Sequence, residues 1–492
     1  MSVLIVFFLP IILFGQSHLS FDEQMLRLKS GFSRPALEDV NGDGFPDLIV
    51  AQCAETGETR KRISVFFNRE GNFNSTPDHT FFFRDGEAVY DLADADGDSD
   101  PELLVMGNHG VFSHDLTASG FQPQTDTLLI SQTILPAVST EPPIRWPFAS
   151  CASRNGFALL CIPESDGIGV YSRTQDDVYR RTYGVSLTPS PILKADEHQT
   201  GFFTELPELR RYDSKGNPGS GCIIMDWDHA VFLENGRPGS SLPVWNIQEF
   251  RFFRYPSGDS TDAVTWMETR LEFDDFNGDG TPDALAFLSP HPGIFTPPGQ
   301  VRLYLNRHGR WNAVPDQILL KDCFFGNHVT ADFNGDGLSD LCLITLETSV
   351  YDLARYVLDR KVRNRYELHF AKKDGTFRPK PDRSLVFPRK QTLKELFTKP
   401  LVEQPLAGDF NGDGIKDLAV WIGQNELSLI FGDEKDGLKT GHPVRVTLQR
   451  AESIQISDLN RDGRSDLVLT VPDLRGGSIR LLVTAASGGS NR

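Results

Sequence analysis

Six nine-residue segments hold the side chains in this sequence best suited to chemistry, and the chemistry they suit is capture of a hard cation. They read DVNGDGFPD from Asp39, DADGDSDPE from Asp94, DFNGDGTPD from Asp275, DFNGDGLSD from Asp332, DFNGDGIKD from Asp409 and DLNRDGRSD from Asp458. Oxygen side chains stand at positions 1, 3, 5 and 9 of each. They are Asp39, Asn41, Asp43 and Asp47; Asp94, Asp96, Asp98 and Glu102; and Asp275, Asn277, Asp279 and Asp283. The later three sets are Asp332, Asn334, Asp336 and Asp340; Asp409, Asn411, Asp413 and Asp417; and Asp458, Asn460, Asp462 and Asp466. A main-chain carbonyl at position 7 completes each set, from Phe45, Asp100, Thr281, Leu338, Ile415 and Arg464. Calcium takes six to eight oxygen ligands at about 2.3–2.6 Å, and a tight loop supplies them from alternating positions. Glycine at position 6 permits the turn that brings position 9 back.

What must hold these loops is a strand on either side. Helix-flanked calcium loops place an acid at position 12; here position 12 is Val50, Val105, Ala286, Leu343, Val420 or Leu469. The residues after position 9 are strand-like, as in DLIVA, DLCLI and DLVLT, so each loop reads as a strand-to-strand turn. The gap between Asp94 and Asp213 is about twice the usual spacing. DSKGNPGSG from Asp213 fits the pattern with its ligands eroded, and CASRNGFALLCI from Cys151 fits as a still shorter copy. Downstream of the loops come period-two strands, among them ISVFF from Ile63, IGVYS from Ile168, VRLYLN from Val301 and IRLLV from Ile479. Each unit is then a four-stranded antiparallel sheet of propeller-blade size. The last repeat lacks its fourth strand, while QMLRLKS from Gln24 has no partner of its own. Donation of that segment to the last blade closes the ring and removes the open edges. The expectation is an all-β propeller over 24–484 with eight blades, seven being the alternative count, six loaded with Ca2+ and two metal-free.

The DxNGDGxxDL core resembles FG-GAP/VCBS repeat proteins, whose propellers are similar to the head of integrin α subunits. The resemblance implies calcium in the acidic loops and ligands that meet the opposite face. Ser99 stands for Gly and Glu102 for Asp in the second loop, and Arg461 replaces a Gly in the last, where it need only point outward. Electrostatics agree with a metal: the loops hold 20 acidic residues, and six Ca2+ would bring the formal charge from −18 to −6.

That charge, with a pI near 5.1, argues against a general nucleic-acid partner. Val3–Phe14 is apolar but for Pro10 and too short to span a bilayer. It reads as the core of a signal peptide over 1–17, the alternative being a buried first strand. Export to the periplasm, the cell surface or the medium follows from the first reading, with no transmembrane segment and a flexible tail over 485–492. Six cysteines show no close pair, which excludes common zinc spacings. Cys151 and Cys161 flank a turn, as a disulfide across a hairpin or as two core thiols.

Strand order puts the longest insertions on the face opposite the loops. One runs from Gly239 to Arg270 and offers Trp245, Arg251, Arg254, Tyr255 and Trp266 as candidate ligand contacts. In another, Thr345–Asn364, Val350, Leu353, Ala354 and Val357 recur at helical spacing. From Arg355 to Lys399 there are 14 Lys/Arg against 5 Asp/Glu. This sector, with Arg360, Lys361, Arg363 and Arg365, either steers an acidic glycan or protein or pairs internally. Sequence patterns for a serine nucleophile, a zinc protease or a P-loop are absent. The reading is a binding or adhesion module. A carbohydrate-active lyase or hydrolase and a structural envelope subunit are the alternatives.

Overall fold

The computed structural model describes residues 19–485 apart from connecting segments, the longest being 243–266, 391–405, 347–360 and 291–298. Its period-two segments pair into eight small antiparallel sheets ringed around an axis, an eight-bladed β-propeller. Blade one is Ala36–Glu38, Asp47–Gln52, Arg62–Phe66 and His79–Phe82, from the axis outward. Blade two is Glu87–Ala93, Glu102–Gly107, Gly110–His114 and Asp126–Ile130. Blades three and four, built on the worn repeats, begin with Cys151–Ala152 and Glu208–Ser214. Blades five, six and seven begin with Met267–Asp274, Phe324–Ala331 and Leu406–Gly408.

Blade eight has Ser453–Ser457, Asp466–Asp473 and Gly476–Ala485 from the C-terminal end, and takes its outer strand from the N-terminal end. Ser20–Leu28 pairs antiparallel with it, from Ser20 opposite Ala485 to Leu28 opposite Gly477. The expected closure is therefore present, and its pairing starts four residues before Gln24. Leu26 is buried in this strand while Met25 is exposed, as period two requires.

The core lies between blades. Second strands such as Asp47–Gln52, Glu102–Gly107 and Asp417–Trp421 are buried throughout, because a neighbour covers each sheet on both faces. Outer strands such as His79–Phe82 alternate and reach solvent. Apolar clusters join successive blades around the ring, for example Leu285, Leu303, Leu341 and Phe377 between five and six. No helix among the described residues is long and apolar enough to cross a membrane.

The hairpin disulfide does not form. Cys151 lies opposite Leu159 in the strand register, so Cys161 falls two residues beyond it. Cys161 is instead a free buried thiol in contact with that of Cys222 in blade four, and this hydrogen-bonded contact, with burial, raises its pKa well above the ordinary range. Residues 347–360, with the helical spacing of Val350, Leu353, Ala354 and Val357, fall outside the described residues, as do residues 1–18.

Candidate metal loops

All six acidic segments form the turn between the first and second strands of their blades. Position 9 opens the second strand directly opposite the last residue of the first, as in Glu38 opposite Asp47 and Ala331 opposite Asp340. The other four pairs are Ala93–Glu102, Asp274–Asp283, Gly408–Asp417 and Ser457–Asp466. Blades two, five, six, seven, eight and one thus carry the loops as one unbroken arc.

Within a loop the side chains turn inward on the backbone. In blade six the Asp336 amide donates to Asn334 Oδ1 at 2.9 Å, and the Gly337 amide to Asp332 Oδ2 at 2.8 Å. The Leu338 amide donates to Asp336 Oδ1 at 2.9 Å. The same bonds recur in blades one, five, seven and eight. Positions 4 and 6 hold positive φ, as at Gly335 (74°) and Gly337 (83°), a conformation that costs other residues about 1–2 kcal/mol. Arg461 accepts it at 57°.

Position 9 does a second job. Asp340 is fully buried, and its Oδ2 accepts from the Phe333 amide at 3.1 Å while Oδ1 accepts from Ala371, just past the third strand, at 2.9 Å. Asp47, Asp283, Asp417 and Asp466 repeat this bridge with Asn68, Asn306, Gly432 and Thr484. One carboxylate thereby ties the loop to the end of the third strand or the turn just after it. Burial, helped by the neighbouring loop carboxylates, pushes these groups up: Asp283, Asp340 and Glu102 to about 8, Asp47 and Asp417 to about 7, and Asp466 to about 6. Replacing Asp340 with Ala strands two buried amides, each costing about 1–3 kcal/mol. The expected loss is roughly 3 kcal/mol in denaturant unfolding, with a smaller loss for Asp340→Asn, which keeps one acceptor.

Among the described residues, the blade-two loop gathers a carboxylate set whose donor chemistry fits a metal ion. Asp94, Asp96, Asp98 and Glu102 each bring one carboxylate oxygen to within 4.8 Å of the others. Like charges brought this close can be neutralised by a cation held among them. In blade one, Asp39 Oδ1 is buried with no hydrogen-bond partner.

The family comparison agrees with this geometry. A family model for the FG-GAP-like repeat matches residues 39–105, 275–343 and 409–469, each match spanning two successive loops. The chain is an FG-GAP repeat β-propeller. Solved structures similar to this FG-GAP propeller include the Nup133 β-propeller domain of Vanderwaltozyma polyspora, at 10% identity and TM-score 0.36, covering 78% of this chain and 91% of that one. The V. cholerae biofilm matrix protein Bap1 is similar at 12% identity and TM-score 0.31, with 93% and 89% covered. The Bacillus licheniformis rhamnogalacturonan lyase is similar at 11% and TM-score 0.25, with 94% and 72% covered. No curated protein matches the chain in sequence.

Successive FG-GAP loops also touch one another. Position 7 of one loop lies against position 4 of the loop before it: Ile415 against Gly335, Arg464 against Gly412, and Asp100 beside Gly42. At the seam the same two positions meet, and there position 4 carries the large side chain. Arg461 does not point outward; its guanidinium lies over the Phe45 ring, 5.5 Å from the centroid, and fills the space a side chain at Gly44 would need. The sequence reading missed Asn68, whose Nδ2 donates to Pro46 O at 3.0 Å and to Leu459 O of blade eight at 2.8 Å. It also missed Ile144–Arg145, which adds a parallel strand to the axial edge of blade two and sets Arg145 in an ion pair with Glu38.

The candidate ligand contacts divide by location. Trp245, Arg251, Arg254, Tyr255, Trp266 and Arg360 lie outside the described residues. Lys361, Arg363 and Arg365 stand in the third strand of blade six, Lys361–His369. The loop end of that strand is His369, opposite Leu341, so Lys361 and Arg363 stand toward the other end. There Lys361 is directly opposite Lys390, and Arg389 is opposite Val362.

Proposed function

We propose that this FG-GAP propeller is an exported, calcium-loaded module that binds an acidic glycan or protein, in adhesion or another interaction role, on the face opposite its acidic loops. The convergence of Asp94, Asp96, Asp98 and Glu102 carries the calcium part of the reading, and the unpaired Asp39 Oδ1 supports it. Calcium, when bound, supplies charge neutralisation and cross-links the loop oxygens. Positions 1, 3, 5 and 9 and the position 7 carbonyl would hold it, and the arc of six loops would then form a rigid base. Export rests on the apolar run Val3–Phe14.

The register of blade six supports the ligand face. Lys361 stands opposite Lys390 in the register, with Arg363 and Arg389 close by in sequence, so basic residues gather at this end of the blade. A local excess of positive charge attracts an acidic ligand. Reversal of charge at Arg360, Lys361, Arg363 and Arg365 is expected to weaken binding to the acidic members of a glycan array at least tenfold and to flatten its salt dependence. Unchanged affinity, with loss of binding on altering the loop-face turns at full calcium occupancy, would place the ligand on the wrong side in this account.

A further inference from the structure

The Lys416 amide of blade seven donates to the Asp332 carbonyl of blade six at 3.0 Å, and the Ser465 amide of blade eight to the Asp409 carbonyl of blade seven at 2.5 Å. In both, position 8 of one loop is bonded to position 1 of the loop before it. We infer that these two peptide units, 415–416 and 464–465, couple cation occupancy among the loops of blades six, seven and eight, so that the three fill as a cooperative group. The inference rests on the calcium reading above.

The reason lies in peptide geometry. A peptide unit is planar and trans, so its C=O and N–H point in opposite directions. The unit whose N–H reaches Asp332 therefore directs the Ile415 carbonyl back toward its own loop, where position 7 is the expected main-chain ligand. Ordering that carbonyl in blade seven fixes the N–H that holds Asp332, the first ligand of blade six. The side chains reinforce the link, with Ile415 and Arg464 packed on Gly335 and Gly412. Whatever one site gains from the ordering of its neighbour, the neighbour gains in return.

The relay has a natural interruption. Position 8 is proline in blades one, two and five, at Pro46, Pro101 and Pro282, and proline has no N–H to donate. Beyond blade eight the seam is held instead by Arg461 on Phe45 and by Asn68 on Leu459 O. The chain thus shows which substitution its own loop backbone tolerates at this position.

The test is calcium titration calorimetry on the full chain after chelation. Asp336→Ala is expected to remove one site and to weaken another about fivefold or more, as coupling of usual size would. In a Lys416→Pro background the same change should remove one site and leave the rest unaltered, while Lys416→Ala, which keeps the N–H, preserves the coupling. Asp413→Ala with Ser465→Pro repeats the comparison at the next junction, independently of how Lys416→Pro folds. Loss of one site with no change elsewhere in the parent background would overturn the coupling and leave the calcium reading intact. A parent that takes up no calcium would overturn both.

Discussion

A chain lacking residues 20–28 is expected to be soluble only in part, to form oligomers on size-exclusion chromatography and to unfold well below the parent. Nine residue pairs join this strand to Gly477–Ala485, and Arg480 loses its ion-pair partner Glu23. The deletion exposes the edge of blade eight, including the backbone groups that Ser20–Leu28 satisfied, and open edges of this kind pair with other chains. It also uncovers Leu481 and Ile479, which pack with Leu26 and Leu28 and with Leu48 and Phe66 of blade one. The damage therefore reaches the next blade, and the ring is open at its seam. Adding the excised segment back as a peptide should restore the monomer. A truncated protein as monomeric and as stable as the parent would contradict the closure.

The parts of the fold legible in the sequence were those written locally. Each loop keeps its candidate ligands within nine residues, and the buried second strand follows at once, so the register of six blades could be read from side-chain types alone. Blades three and four were found through spacing, since Asp213 and Cys151 stand where the period requires a loop. Contacts between blades were harder to read. The amide that meets Oδ1 of position 9 comes from Asn68, Asn306, Ala371, Gly432 or Thr484, at a different distance along the chain in each blade, because the hairpins between vary in length. No fixed offset marks it. Ile144–Arg145 is too short to show a period. Arg461 looked like a neutral departure from glycine, because the residue it covers, Phe45, lies at the other end of the sequence. Cys151 and Cys161 are close in sequence, yet the thiol that meets Cys161 comes from the next blade.

Chelation is expected to have the larger effect on stability. A cation at a hundred times its dissociation constant adds about 2.7 kcal/mol per site. Several sites together exceed about 10 kcal/mol, which for a chain of this length lowers Tm by roughly 10 °C or more on adding EGTA. The sign of the pH dependence follows from the position 9 carboxyls of the metal-free chain. An unfolded carboxyl titrates near 4, whereas Asp283, Asp340 and Glu102 are raised to about 8 by burial. Between those values the native state binds more protons than the unfolded chain, so stability of the chelated protein falls as pH rises from about 4 to 8. Cation binding needs the deprotonated form, so the gap between calcium-loaded and chelated melting temperatures should widen over the same interval. Melting curves at pH 5 and pH 8 with and without EGTA show this directly. A gap that narrows toward pH 8 would be the wrong sign.

The most direct measurement is a count of calcium per chain, by native mass spectrometry of protein purified without chelator. Six bound ions are expected, five on Asp279→Ala, and none after EGTA followed by desalting. A parent chain that carries no calcium when exchanged into millimolar Ca2+ and desalted would contradict the reading of these loops as metal sites.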